Sequence, residues 1–240
     1  ALKEIADVVV AAPDRERSAT SHSISLDRPL RVDELSPGVY SIDGTPVDCI
    51  YLAVLHLVPR PPALCVSGIN NGYNLGSDVF YSGTVAAALE AALRGVPAIA
   101  FSLERRRPQD FTHASAFARA LVAEVLARGE QAIPRGALLN VNLPAGAVHG
   151  FQVTRLGQRV YRDQVDVRED LRGRAYYWIG GPEQEGGDAP GSDCTAVRSG
   201  LTSITPLALD LTHGPLVEEI AGWKIGDFVQ SAQAGVRTTQ

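Results

Sequence analysis

From Ala63 to Asn142 the chain alternates between short apolar runs and runs with helical spacing, and that rhythm leaves few folds open. Ala63 to Ser67 (ALCVS), Ala98 to Ser102 (AIAFS) and Leu138 to Asn142 (LLNVN) are apolar and of strand length. Between them lie Thr84 to Arg94 (TVAAALEAALR), closed by Gly95, and Phe111 to Arg128, both with helical periodicity. Repeated strand, crossover helix and strand predict an α/β fold, a mostly parallel sheet with helices on both faces. Earlier in the chain, Asp7 to Ala12 (DVVVAA) reads as a buried strand ended by Pro13. At Gly44-Thr45-Pro46-Val47-Asp48 a helix begins. Thr45 caps it, Pro46 suits the first helical position, and Asp48 complements the dipole. Its apolar face is Val47, Ile50, Tyr51, Val54 and Leu55, and Pro59, Pro61 and Pro62 stop it.

Past Phe151 the pattern changes. Val153, Tyr161, Val165, Tyr176 to Ile179 and Thr202 to Thr205 read as antiparallel strands. Gly180 to Gly191 reads as an exposed loop, Leu209 to Lys224 as holding a short helix, and the last polar stretch as frayed. The expected division is a core over residues 1–150 and a β-rich region over residues 151–240. Ala1 to Ile5 reads as the last turn of a helix, whereas a doubly wound sheet usually begins with a strand. Together with the absence of Met, this sets the expectation that a strand, its loop and most of a helix precede residue 1.

Composition narrows the class of partner. No run approaches the roughly 18 apolar residues of a membrane helix, so no membrane is expected as a partner. No basic stretch followed by an apolar one marks a signal peptide. The net charge of −5 argues against a nucleic-acid polymer, although a local positive pocket for a small anion is compatible with it. Cys49, Cys65 and Cys194 fit no zinc spacing, and an odd count without a framework points to a reducing, cytoplasmic compartment. Cys49 and Cys65 read as buried thiols; Cys194, in a Gly-rich loop, reads as exposed.

Ligands of such sheets bind at the carboxyl ends of the strands. Three loops leave such ends: Pro13 to Ser23, Gly68 to Ser82, and Leu103 to Pro108. The second follows a buried strand and is dense in Asn and Gly, including Asn70, Asn71 and Asn74. Its glycines permit close backbone approach to a ligand. It leads into Ser82-Gly83-Thr84, the start of a helix, where unpaired N–H groups and the dipole favour phosphate. Ser82 also reads simply as an N-cap. In the first loop Arg15, Glu16 and Arg17 read as solvated, and His22 as structural. Arg105-Arg106-Arg107 has the charge to attract phosphate but reads first as a solvated run, and Trp178 with its tyrosine neighbours as strand packing or an oligomer contact. No P-loop, His-Glu-x-x-His or Gly-x-Ser-x-Gly occurs.

Six ordered segments resemble the SurE family of survival-protein nucleotidases: APDRERSATSHSISL (Ala12 to Leu26), DGTPVDCIYL (Asp43 to Leu52), VSGINNGYNLGSDVFYSGTVAAALE (Val66 to Glu90), LNVNLP (Leu139 to Pro144) and the late YYWIG and SITPL segments. The resemblance implies a Rossmann-like core, with a β-rich C-terminal extension used in oligomerisation as homodimers or homotetramers. It implies a phosphatase acting on nucleoside 5′- and 3′-monophosphates, with short-chain polyphosphate a further substrate, and one divalent cation, Mg²⁺ or Mn²⁺, per subunit. Residue by residue it implies that Ser18 and Asn70 are metal ligands and that Asn74, Ser82, Gly83 and Thr84 hold phosphate. Asn70 and Ser82 would then contribute to catalysis. The family opens with a strand ending in Asn-Asp-Asp-Gly, whose aspartates bind the metal; nothing in this sequence matches it. Two neutral oxygens, from Ser18 and Asn70, are few for a hard dication, so the chain as it stands is expected to bind metal weakly or not at all. Tyr73 departs from the proline or small residue common in the family. Two other readings remain open: a non-catalytic nucleotide- or phosphate-binding module, and a dinucleotide-dependent oxidoreductase, for which no Gly-x-Gly-x-x-Gly follows a strand.

Overall fold

A computed structural model describes residues 1–158, 160–161, 164–180, 183–184 and 189–223 of the chain. It forms two compact units, Ala1–Leu209 and Asp210–Gln240. In the first, β1 (Val10–Pro13), β2 (Val32–Ser36) and β3 (Val39–Ile42) make a sheet in the order β1-β3-β2, with β1 and β3 parallel. Next come α1 (Pro46–Leu52), β4 (Cys65–Asn71), α2 (Gly83–Leu93), β5 (Ala98–Leu103), α3 (Thr112–Arg128), β6 (Ala137–Leu143) and β7 (Phe151–Val153). The β-rich segment adds β8 (Val160–Tyr161), β9 (Gln164–Glu169), β10 (Ala175–Gly180) and β11 (Glu183–Gln184). Then α4 (Asp193–Arg198) leads into β12 (Thr202–Ala208). The second unit holds α5 (Gly214–Ala221), capped by His213, whose Nδ1 accepts from the Leu216 N–H.

The main sheet runs β4-β5-β6-β12-β7, with β4, β5 and β6 parallel. Its strands alternate between two cores because successive side chains leave opposite faces. Ile99, Phe101 and Leu103 of β5 and Val141 and Leu143 of β6 pack with Ala114, Ala118, Val122 and Val125 of α3. Ala98, Ala100 and Leu138 pack on the other side with Val85, Ala88 and Ala91 of α2. Helices thus cover both faces, as the alternation predicts. Small residues on α2 let its backbone come close to the sheet.

The start of α1 carries both halves of a capping box. The Thr45 hydroxyl accepts from the Asp48 N–H at 3.1 Å, and the Asp48 carboxylate accepts from the Thr45 N–H at 2.8 Å. Asp48 is buried and also accepts from the Ser25 N–H and hydroxyl at 2.9 and 2.7 Å. Burial pushes its carboxyl upward, but the hydrogen bonds from Ser25 and Thr45 outweigh that and hold its pKa below the usual 3.8. A lowered carboxyl stabilises the fold above its unfolded pKa, and the stabilisation is lost as pH falls through the lowered value. Asp48→Ala is expected to cost about 1–2 kcal/mol at neutral pH. Its deficit relative to the parent should shrink as pH falls below about 4. Urea unfolding at pH 7 and pH 3 checks this, and an unchanged deficit would sink it.

The strand expected over Asp7 to Ala12 runs instead over Val10–Pro13 and is exposed or only partly buried, because it sits in the small β1-β3-β2 sheet rather than inside the main one. Four further expectations need correction. First, β4 does not stop at Ser67 but runs on to Asn71, with a shifted register between Ser67 and Asn70. Gly68 has φ +109, and a Cβ there would lie 2.3 Å from the Phe101 carbonyl oxygen. Only glycine lets β4 bulge so close to β5 and continue. Second, β7 pairs in parallel with β12 rather than antiparallel, while β12 runs antiparallel to β6. Third, packing does not break at residue 150, because β7 and β12 complete the main sheet and the first unit runs to Leu209. Fourth, Cys194 is buried, because Ser192 caps α4 and the helix turns this side chain inward against Gly157. Cys49 and Cys65 are buried as expected, and burial pushes each thiol up to about 12. Most of the loop expected over Gly180 to Gly191, and the frayed stretch after Trp223, lie outside the described residues. Among the described residues no helix is long and apolar enough to cross a membrane.

Candidate functional site

The polar loops converge on the N-terminus of α2. Ser82 is the N-cap, and its Oγ accepts from the Val85 N–H at 3.1 Å. The Ala86 N–H takes the Ser82 carbonyl. The N–H groups of Gly83 and Thr84 precede the first helical bond and have no acceptor within the helix. With Ser82 Oγ acting as acceptor, its own proton remains available to a ligand.

From the β4 side, Asn70 reaches the same point. Its Nδ2 donates to the Gly72 carbonyl at 2.9 Å, and its Oδ1 faces Thr84, whose hydroxyl lies 3.4 Å away. The amide nitrogen is thus committed and the oxygen is presented to the helix start. The bulge at Gly68 is what brings Asn70 here, at the end of a strand rather than inside a loop.

The loop after β1 closes the third side. The Ser21 hydroxyl donates to the Phe80 carbonyl, and the Ser21 N–H donates to the Tyr81 carbonyl at 3.2 Å. A Cβ on Gly83 would lie 3.0 Å from Thr20 Oγ1 and 3.0 Å from Pro46 Cγ, so glycine permits this loop, α1 and α2 to meet. Ser18 belongs to the same loop, and its hydroxyl donates to Glu16 at 2.9 Å. His22 leaves the loop on the other side, with Nε2 2.9 Å from the buried carboxylate of Glu90. Arg17 spans Asp14 and the Asp43 carbonyl.

Asn74 is placed differently from the other expected phosphate residues. It is buried, and its Nδ2 donates to Ser102 Oγ at 2.7 Å. Its N–H donates to Asn142 Oδ1, and its carbonyl accepts from the amides of Asn140 and Asn142. It acts as a polar plug beneath the loop. Gly76 is then fixed by Asp193, a wholly buried residue whose carboxylate accepts from the N–H groups of Gly76, Gly157 and Cys194 at 2.9, 2.7 and 2.8 Å. Sequence reading missed Asp193. The Ser192-Asp193 pair is a helix-start signal, but nothing local points from it to Gly76.

The family model described as survival protein SurE matches residues 1–163. The chain belongs to the SurE family. A 5′-nucleotidase SurE of Myxococcus xanthus (strain DK1622) is 51% identical over 231 residues, 95% of this chain and 87% of that one. One of Anaeromyxobacter dehalogenans (strain 2CP-C) is 52% identical over 226 residues, 92% of this chain and 87% of that one. The crystal structure of a SurE protein from Aquifex aeolicus superposes with a TM-score of 0.80 at 39% identity, covering 91% of this chain and 89% of that one. The SurE resemblance read from the six motif segments thus extends over nearly the whole chain. Asn70, Ser82, Gly83 and Thr84 lie within its longest block, Val66 to Glu90, and Thr20 and Ser21 within Ala12 to Leu26.

Proposed function

We infer that the chain hydrolyses nucleoside 5′-monophosphates to nucleoside and phosphate, with 3′-monophosphates and short-chain polyphosphate as further substrates. The observation that carries this is the anion seat at the start of α2: the Gly83 and Thr84 N–H groups, which have no helical acceptors, beside the Ser82 and Thr84 hydroxyls, with Asn70 Oδ1 next to Thr84. It lies in a chain about half identical to proteins named 5′-nucleotidase SurE. Gly83 and Thr84 N–H and the Ser82 and Thr84 hydroxyls hold phosphate oxygens and stabilise the charge that develops as the ester bond to phosphorus breaks. Water forms the new bond to phosphorus, and the nucleoside oxygen leaves with a proton. Asn74 supports this seat from beneath, since its side chain is engaged with Ser102. Nothing in the relatives' names favours the binding module or the oxidoreductase.

A divalent cation, Mg²⁺ or Mn²⁺, fits these residues only in part. Asn70 Oδ1 and Ser18 Oγ are hard oxygens of the right kind, but neutral and few against the six or more such a cation takes. Among the described residues no group of three His, Cys, Asp or Glu side chains adds to them. When bound, the cation would supply Lewis acidity at the phosphate; the steps above rest on the chain's own groups. The proposed assembly is a homodimer or homotetramer. In support, Tyr177, Trp178 and Ile179 of β10 are exposed on a ribbon paired only with β9 among the described residues.

Phosphate release from 5′-AMP, 3′-AMP and tripolyphosphate, with Mn²⁺, with Mg²⁺ and with EDTA, tests the reading. Release from 5′-AMP is expected, and its loss in EDTA would give the cation a part in it. No release from 5′-AMP under any added cation would overturn it.

A further inference from the structure

We propose that Arg105 contacts the substrate phosphate from the β5 side of the site. The proposal rests on the phosphatase reading and adds a cationic residue to it. Of the three consecutive arginines after β5, Arg106 is spent on Glu104, with both Nε and Nη2 on its carboxylate. Arg105 turns the other way. Its Nε and Nη2 donate to the Asn71 carbonyl at 3.2 and 3.1 Å, next to Asn70 in β4. A Cβ placed on Gly72 would lie 3.6 Å from Arg105 Nη2, 3.8 Å from its Nε and 3.8 Å from Asn70 Nδ2. The guanidinium and the Asn70 amide therefore flank the same bare glycine, and Asn70 Oδ1 is the atom facing Thr84.

The mount is firm. The Gly72 N–H donates to the Leu103 carbonyl at 2.8 Å, and the Glu104 N–H to the Leu143 carbonyl at 2.9 Å. Glu104 accepts from the Ala145 N–H, and Gln109 donates to the Glu104 carbonyl while accepting from the Arg106 N–H. The loop is thus stapled on both sides of Arg105. A guanidinium has five N–H donors, and the Asn71 carbonyl uses only Nε and one hydrogen of Nη2. Among the described residues no carboxylate pairs with Arg105.

Charge gives this residue a task. A phosphate monoester carries close to two negative charges at neutral pH. The groups gathered at α2 are neutral hydroxyls, amides and backbone N–H groups. Arg105 is a guanidinium at this rim with donors to spare and, among the described residues, no carboxylate partner, whereas Arg17 is paired with Asp14; Arg is suited to phosphate oxygens by its fork of donors.

Steady-state kinetics on 5′-AMP over a range of ionic strength test this for the parent, Arg105→Ala, Arg105→Lys and Arg106→Ala, alongside thermal unfolding. Arg105→Ala is expected to raise KM about tenfold with kcat changed less than about twofold, the size of one charge-assisted hydrogen bond. It should also flatten the salt dependence of kcat/KM, because the lost contact is the one that salt screens. Lysine should restore part of the KM, and Arg106→Ala should match the parent. An Arg105→Ala enzyme with the parent's KM and salt slope would overturn the contact. So would a fall in kcat that tracks a loss of stability and is not rescued by lysine, since that is the signature of a loop anchor alone. If the parent protein releases no phosphate from AMP, the phosphatase reading has failed separately. Calorimetric binding of AMP and of inorganic phosphate then tests Arg105: about tenfold weaker binding of both in Arg105→Ala supports it, and equal binding overturns it.

Discussion

Asn70→Ala is expected to lower kcat for 5′-AMP by about a hundredfold or more, on the scale of losing one preorganised polar group at a reacting centre. The effect should fall on turnover rather than on folding. Asn70 sits at the end of β4, and its side chain bonds only to Gly72 and, at long range, to Thr84. Removing it takes away the oxygen aimed at the helix start and frees the Gly72 carbonyl, while the sheet pairing of β4 with β5 is made by backbone groups that alanine retains. Stability should therefore drop by about 1 kcal/mol, the net value of an ordinary hydrogen bond. Asn70→Asp is the informative partner. It keeps an oxygen near Thr84 but adds charge, so it should hold a cation better and an anionic phosphate worse. Near-parental turnover in Asn70→Ala would remove this residue from the mechanism.

Glu90→Ala should be among the most damaging single changes to stability outside the apolar cores. Glu90 is 3% exposed, on the buried face of α2. Its carboxylate meets His22 Nε2 at 2.9 Å, Arg94 Nε at 2.7 Å and Arg94 Nη2 at 2.6 Å. The Arg94 guanidinium in turn lies 3.8 Å over the Tyr51 ring of α1. Alanine would leave a partly buried guanidinium without its counter-charge, a loss that typically costs 3–5 kcal/mol. Arg94 and His22 retain some access to water, so about 3 kcal/mol is expected, or a fall in Tm of roughly 6–12 °C for a unit of this size. Glu90→Gln keeps hydrogen-bonding atoms in place and should cost less than half of that. A Tm shift below about 2 °C in Glu90→Ala would mean the cluster contributes little.

The parts of this fold visible in the sequence are those governed by local periodicity. Alternating apolar strands and Ala-rich helices announce the parallel sheet. Thr45-Pro46-Val47-Asp48 announces α1 and its Thr45 cap, because the cap's partner lies within three residues, and Ser82 is recognisable as the cap of α2 for the same reason. Asp48, read from the sequence only as complementing the dipole, also closes the capping box. What stayed hidden depends on distant partners. The continuation of β4 past Gly68 follows from the approach of Phe101, over thirty residues away. Asn74 looks like its neighbour Asn70 in composition, and only the positions of Ser102, Asn140 and Asn142 turn it inward. Arg105 and Arg106 are indistinguishable as letters, and differ because one meets Glu104 and the other the Asn71 carbonyl.

Asp193 carries a consequence for the order in which the protein becomes competent. Its carboxylate joins Gly76 to a residue 117 positions later, and to Gly157 across 36. Loop closure over such separations comes late in folding, after contacts near in sequence have formed. A chain emerging from the ribosome has therefore synthesised β4, α2, β5 and β6 well before the loop between Asn70 and Ser82 has its anchor. The parallel strands β4, β5 and β6 are expected to mature first, and the phosphate seat only after Asp193 and β12 have been made. A nascent or truncated chain ending before residue 193 would then display protected β4–β5–β6 pairing beside an unprotected loop in hydrogen exchange.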